Sequence, residues 1–379
     1  MKILIAPLNW GLGHASRCIP LIQQYIQQGH QVILAGDGDS LLLLRQHFPS
    51  LRVIPLPSLE LQYTQNSQQR GFYLRALWPL MRFTLADHYY LRQALAIEHF
   101  DLIISDNRFG FFSRQAHCVY ITHQLYPILP KRLHLLQPLA RAIHACIYKR
   151  YHQIWVPDYA DPKNNLSGQL SHGGHFDQKA KYIGPLSRFH SCAMAHGVEW
   201  CSMGQNGVEL SSQEKNNTTQ PYTTLPNTTQ PYTTLPNTTQ HYTTLHNTTQ
   251  PYTTLHNTTQ HYTTLPNTTL ALLSGLEPQR SIFEKEILEQ YEHSSESLLL
   301  VRGKVSEPKT TIHKGNITII PSISDAELVS AAQQANKIIA RSGYSTIMDL
   351  EALGVLHKAE LHPTPGQSEQ EYLAEWHRK

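Results

Sequence analysis

The stretch GLGHASR, residues 11–17, follows the apolar run Lys2–Ala6 and a break at Pro7 and Asn9. Two closely spaced glycines let a chain turn tightly out of a strand into a helix. They also leave the backbone close to whatever occupies the crevice at the strand's carboxyl end. His14 then stands near the start of that helix, where the positive end of the helix dipole disfavours imidazolium and keeps the ring neutral. A neutral histidine at a sheet crevice is a candidate general base. The full dinucleotide fingerprint G-x-G-x-x-G fails, because Ser16 stands where the third glycine belongs, and no G-K-[ST] phosphate loop is present.

Outward from this turn, residues 1–187 alternate short β-branched or leucine-rich runs with longer helical patterns, which predicts a parallel sheet covered by helices. Strands are expected at 2–6, 31–34, 51–55, 101–105, 118–122, 154–157 and 181–184, with helices such as Ile19–Gln28 and Phe72–Glu98 between them. The alternation resumes near the carboxyl end: strands at 270–274, 298–301, 317–320, 337–340 and 359–362, with helices at 281–290 and 325–334. Two α/β halves imply a cleft between them, the usual place for a ligand.

Between the halves a ten-residue unit, NTTQPYTTLP with Pro/His exchanges, recurs from Asn217, placing asparagine at 217, 227, 237, 247, 257 and 267. The unit has no charge and little apolar surface, so it cannot offset its ordering entropy by burial. An extended, disordered linker insertion is expected, with a solenoid or adhesive stalk as the alternative. The boundaries read from these changes are 1–187, a linker 188–269 and 270–379.

With 31 basic against 28 acidic residues, a net charge of +3 gives no reason to expect a nucleic-acid partner. The opening run is too short for a secretory signal, and no stretch approaches the roughly 18 apolar residues of a membrane span. A soluble cytoplasmic protein is expected. Five cysteines, an odd number without paired spacing, predict free or buried thiols and no metal site.

Polar residues cluster after several strands. SDNRFG (105–110) follows DLII and THQL (122–125) follows VYI, at the sheet edge where open α/β folds bind ligands. Asp106 is placed to orient or charge-balance His14, or else to cap a turn. His123 and Gln124 are candidates for the acceptor side. In the second half SGLEPQR (274–280), RSGYSTIMDLEALG (341–354) and HPTPGQSEQEYLA (362–374) mark strand-to-helix turns whose free N–H groups can receive phosphate. Asp349, well into the helix starting near Gly343, is a candidate for accepting both hydroxyls of a ribose. Residues 131–152 mix leucine and isoleucine with Lys131, Arg132, Arg141, Lys149 and Arg150. The segment is either an ordinary half-buried helix or a basic amphipathic one that rests on an anionic membrane.

These motifs, with VPD and YIGPLSRF, resemble GT-B glycosyltransferases, specifically bacterial relatives of glycosyltransferase family 28, the group that holds the lipid II-forming N-acetylglucosaminyltransferase. The resemblance covers about 1–190 and 270–379 and excludes the repeat. It implies two Rossmann-like domains, an acceptor domain in front and a nucleotide-sugar domain behind. The implied reaction is metal-independent and cofactor-free transfer of a hexosyl group from a nucleotide diphosphate sugar, UDP-linked by analogy, to an acceptor hydroxyl. The acceptor itself is left open, a lipid-linked one met at the inner membrane face being one candidate.

Carried over residue by residue, Gly11, Gly13 and His14 match the loop beside the reacting centre, with Arg17, Asn107, His123 and Gln124 around the acceptor. Arg341, Ser342, Gly343, Thr346 and Asp349 match the R-S-G-x-x-T-x-x-[DE] pattern, Asp349 in the place of the ribose-binding acid. Gln367, Glu369 and Gln370 match the loop that meets the donor sugar, and Ser274 and Gly275 the loop facing the diphosphate. The glycine-rich turn of the family is reduced here to Ser274-Gly275, so Arg280 is the candidate for the missing positive charge. The chain stops at Lys379, soon after the glutamine motif, where relatives usually continue. A noncatalytic nucleotide-sugar binder is therefore the alternative reading, and a repeat-bearing surface protein a third that requires export.

Overall fold

A computed structural model describes residues 1–58, 72–174, 179–189, 268–308 and 310–378. The first strand, β1 (Lys2–Pro7), has Ile3, Leu4, Ile5 and Ala6 wholly buried. Burial on both faces is what a central strand of a helix-covered parallel sheet requires, and explains why the run is continuously apolar. Around it lie β2 (Gln31–Gly36), β3 (Arg52–Pro55), β4 (Leu102–Asp106), β5 (His117–Ile121), β6 (Gln153–Val156) and β7 (Ala180–Tyr182). All pair in parallel, in the order β3-β2-β1-β4-β5-β6-β7. The connections carry α1 (Gly13–Gln27), α2 (Gly38–His47), α3 (Phe72–Ile97), α4 (Gln137–Tyr148) and the short α5 (Gln169–His172).

The second sheet comprises β8 (Thr268–Leu272), β9 (Ser297–Val301), β10 (Ile312–Lys314), β11 (Ile317–Ile320), β12 (Lys337–Arg341) and β13 (Ala359–His362), ordered β10-β11-β9-β8-β12-β13. Its helices are α6 (Gln279–Tyr291), α7 (Asp325–Gln334), α8 (Tyr344–Ala352) and α9 (Ser368–Trp376). In both sheets the strand order reverses beside the first strand, so each has a crevice at its carboxyl edge where α1 or α8 begins. Separate cores fill the halves: Leu4, Ile33, Ile103, Tyr120 and Ile154 in the first, Ala271, Phe283, Ile287, Leu300 and Ile339 in the second.

Three details differ from the sequence reading. The first helix runs from Gly13 to Gln27 and through Pro20, so the stretch Ile19–Gln28 covers only its second half. β8 begins at Thr268, inside the stretch assigned to the array, because Thr268 and Thr269 are buried and Tyr291 donates its hydroxyl to Thr269 Oγ1 at 3.0 Å. The three-residue edge strand β10, antiparallel to β11, carries no periodic signal and was not foreseen. The array up to residue 267, Cys192 and Cys201 lie outside the described residues, and with them the disorder expected of the insertion. Cys18 and Cys118 are buried thiols and Cys146 an exposed one. Among the described residues no helix is long and apolar enough to cross a membrane.

The two α/β halves belong to one compact unit. Gly13 shows why glycine is needed at the turn: a Cβ there would lie 2.8 Å from Ser345 Oγ, which donates to the Gly13 carbonyl at 2.9 Å. Gly11 has φ +78°, and its missing Cβ faces Gly275 Cα of the other half at 3.7 Å. Gly13 thus makes room for the opposing domain, whereas Gly11 serves by its left-handed backbone. Tyr344 donates its hydroxyl to the Pro157 carbonyl at 2.8 Å, and α9 returns to the first domain through Tyr372, which accepts from Gln169 N at 2.8 Å.

Candidate active site

Strand β4 ends at the fully buried Asp106, directly beside the start of α1. Its carboxylate meets His14 Nδ1 at 2.9 Å and accepts from Arg17 Nε at 2.6 Å, with a second Arg17 bond from Nη2. Arg17 falls one turn after His14 on α1, so one helix face delivers both groups to one carboxylate. Burial pushes the Asp106 carboxyl up, but Arg17 and His14 outweigh it and hold the group well below the usual carboxylate range. Burial lowers the His14 pKa; Asp106 opposes this, while Arg17 and His123 add to it, and the net direction is down. At neutral pH the ring is uncharged.

His14 Nδ1 is shared: Arg17 Nη2 lies 2.8 Å from it, as close as Asp106. If the proton sits on Nδ1 and points to the carboxylate, Nε2 presents a lone pair; if the guanidinium donates to Nδ1, Nε2 carries the proton. Nε2 has no hydrogen bond among the described residues, and His14 lines a cavity of about 410 Å³ at the junction of the halves.

That cavity is walled on the first domain by His14, Asn107, His123 and Gln124, and on the second by Ser274, Gly275, Gly343, Thr346 and the Gln367–Gln370 segment. A polar chain crosses it. Arg17 Nη1 approaches His123 Nδ1 at 3.4 Å, and His123 Nε2 meets Glu369 Oε1 at 2.6 Å. Gln124 donates to the other Glu369 oxygen. Burial pushes Glu369 up, but His123, then His14 and Arg17, bring it below its ordinary value. The His123 ring stacks on Tyr344, centroids 4.1 Å apart and 8° from parallel.

A second cavity, about 580 Å³, continues past Gly13, Ser274 and Thr346 to Asp349. The first domain contributes Gln46 and His47 from α2, and Arg188 follows β7. Asp349 accepts from Ser187 Oγ at 2.7 Å and from Ser16 Oγ at 3.4 Å; Arg188 Nε lies 4.0 Å from it and 3.3 Å from Asp325. Burial raises the Asp349 carboxyl to about 6, with Arg188 and Ser187 pulling the other way.

Four of the carried-over residues serve the loops instead. Arg341 and Ser342 line neither cavity: Arg341 donates to the carbonyls of Pro363 and Gln279 at 2.8 and 3.2 Å with its guanidinium 3.9 Å from the Phe283 ring centroid, and Ser342 donates to the Gln370 carbonyl at 2.8 Å. Arg280, the candidate for the missing phosphate charge, is held by Glu277 and by the Arg302 carbonyl at 2.9 Å, also outside both cavities. Gln370 faces the cavity, yet its Oε1 accepts from Thr364 N at 2.9 Å and its Nε2 donates to Gln367 Oε1 at 2.7 Å, which ties it to its own loop.

Sequence reasoning missed Ser187, Arg188, His47 and the Tyr344–His123 stack. It also missed a buried support: Arg108 donates to Asp87 at 2.6 Å, to Asp37, and to the Pro7 carbonyl at 3.1 Å, joining the ends of three strands and α3. Arg108 stood in the quoted motif, and an arginine beside a strand-end aspartate was the available signal. Among the described residues no group of side chains could hold a metal ion.

Neither a protein-family profile nor a curated protein sequence matches the chain. Solved structures do. The glycotransferase of kitacinnamycin superposes with a TM-score of 0.51 at 12% identity, over 100% of this chain and 95% of that one. The calicheamicin glycosyltransferase CalG4 gives 0.50 at 13%, over 98% and 83%. A Polygonum tinctorium UDP-glucosyltransferase capable of glucosylating indoxyl gives 0.50 at 11%, over 98% and 82%. At such identities the likeness concerns the fold: the chain has the two-Rossmann GT-B architecture.

Proposed function

We propose that the protein is a glycosyltransferase that moves a hexosyl group from a nucleotide diphosphate sugar, UDP-linked by analogy, to an acceptor hydroxyl. The observation that carries this is His14: a neutral imidazole, oriented by a buried carboxylate, whose Nε2 opens onto a cavity walled by the strand-end loops of the facing domain. In the reaction the acceptor oxygen attacks the anomeric carbon as its proton passes to His14 Nε2, and the bond to the nucleotide diphosphate breaks with its electron pair. This requires the tautomer with the proton on Nδ1, which Asp106 favours by accepting it. The departing charge is taken by backbone N–H groups at Ser274–Gly275 and at the start of α8. Asp349, freed from its serine partners, receives the ribose hydroxyls. Glu369 and Gln367 lie on the donor-sugar side. No step calls for a metal or cofactor.

A basic apolar face suits an acceptor met at a lipid surface in the cytoplasm. Leu136, Leu139 and Ile143 share one side of the segment through α4 and are exposed, with Leu135 94% exposed beside them and the exposed Arg132 and Arg141 nearby. Co-sedimentation with anionic but not neutral vesicles is the expected result. The second reading, a nucleotide-sugar binder without turnover, is favoured by Glu369 and Asp349 being already occupied by residues of the first domain.

A thermal-shift screen against sugar nucleotides, followed by assays of transfer and hydrolysis, tests the proposal, since a ligand that binds only the native state raises its stability. Stabilisation without turnover toward any acceptor or water supports the second reading. No stabilisation by any sugar nucleotide rejects both.

A further inference from the structure

Around His14 the first domain lines the cavity with Leu8, Trp10, Leu80, Phe83 and Phe109, a wall that the polar chain does not use. The cations near it are already engaged. Arg17 is buried against Asp106. Arg108 lies 5.0 Å from the Phe83 ring centroid, fully buried between Asp37 and Asp87. His123 and Gln124 are turned to Glu369. Asn107 accepts from the Tyr120 hydroxyl at 2.8 Å, and its amide nitrogen has no bond among the described residues. It sits at φ +59°, a left-handed backbone that asparagine tolerates better than most residues.

An anionic group placed on this side would therefore meet two carboxylates, the buried Asp106 and the half-buried Glu369, and no unpaired cation among the described residues. Removing a phosphate from water without a partner is strongly unfavourable, whereas an aromatic or alicyclic body gains from the same wall. We infer that the acceptor is an uncharged alcohol with an aromatic or alicyclic body, seated on Trp10, Phe83 and Phe109 with its hydroxyl at His14 Nε2. Trp10, Leu80 and Phe109 are then the side chains that set acceptor specificity. A phosphate-bearing acceptor is disfavoured at this wall. The inference rests on His14 facing an acceptor.

The test uses the full chain and two probes that share one ring body, 2-naphthol and 2-naphthyl phosphate, titrated by fluorescence. The expected result is that 2-naphthol binds at least about tenfold tighter, that Trp10→Ala and Phe109→Ala each weaken it by roughly five- to tenfold, and that Leu80→Arg turns the preference toward the phosphate. UDP binding, followed by thermal shift on the same proteins, stays unchanged in all three variants, which separates a lost acceptor wall from a damaged fold. Equal or tighter binding of the phosphate by the unaltered protein, no binding of 2-naphthol, or binding indifferent to both alanine substitutions overturns the inference. A failure of UDP to bind the unaltered protein counts against the donor reading alone, and the comparison of the two naphthyl probes still decides this one.

Discussion

Asp349→Asn separates function from stability in a way the geometry makes quantitative. The carboxyl is raised from 3.8 to about 6, first by burial, against the pull of Arg188 and Ser187. Its side chain is only 18% exposed, so solvent screening removes little of this effect. A rise of that size disfavours the ionised form in the folded state by about 3 kcal/mol, at about 1.4 kcal/mol for each tenfold change in proton affinity. Above pH 6 the group is ionised whether folded or unfolded, and the folded state bears the whole penalty. Between about 6 and 4 the folded state takes up a proton that the unfolded chain does not, so the penalty shrinks as pH falls. Below about 4 both states are protonated and it disappears. Asparagine can still accept from Ser187 and never ionises. The variant should therefore be more stable than the parent by up to about 3 kcal/mol at pH 7.5 and nearly equal near pH 4. It should also lose stabilisation by UDP, because the ribose acceptor is gone. Urea unfolding followed by tryptophan fluorescence at the two pH values, with and without UDP, measures both effects. A variant that is no more stable at pH 7.5, or whose advantage is the same at both pH values, would refute the reasoning about burial; undiminished UDP binding would refute the ribose assignment.

Other outcomes follow from the same contacts. His14→Ala should lower transfer by at least about a hundredfold with UDP affinity retained, as for loss of a general base, and the acid limb of the parent's pH–rate profile should fall below pH 6.5, since burial depresses the imidazole. Asp106→Asn leaves Arg17 buried without its partner charge and should destabilise the fold by about 3–5 kcal/mol in urea titration. Ser187→Ala removes a hydroxyl that occupies Asp349 and should tighten UDP binding severalfold; weakened binding would show that the serine helps hold the nucleotide. Tyr344→Phe strands the Pro157 carbonyl and should cost about 1–2 kcal/mol in thermal or urea unfolding without altering UDP affinity.

Local chemistry was enough to read every strand of both sheets except the edge strand β10. The continuous apolar runs at Ile3–Ala6 and Leu298–Val301 can only be buried strands between covering helices, and the glycines after β1 require a turn there. That His14 and Asp106 belong to one crevice was also legible, because strand-end residues of a doubly wound sheet share an edge. What each polar residue does there was not. Arg341, Ser342 and Arg280 sit within motifs that promise ligand contact, yet each finds carbonyls or a carboxylate of its own domain first. Asp349 meets Ser187 from 162 positions away and Glu369 meets His123 from 246, separations over which no periodicity operates. Sequence patterns report which face of an element is buried. Which charges face each other across a junction depends on how two separately built domains are set together, and only the tertiary structure decides that.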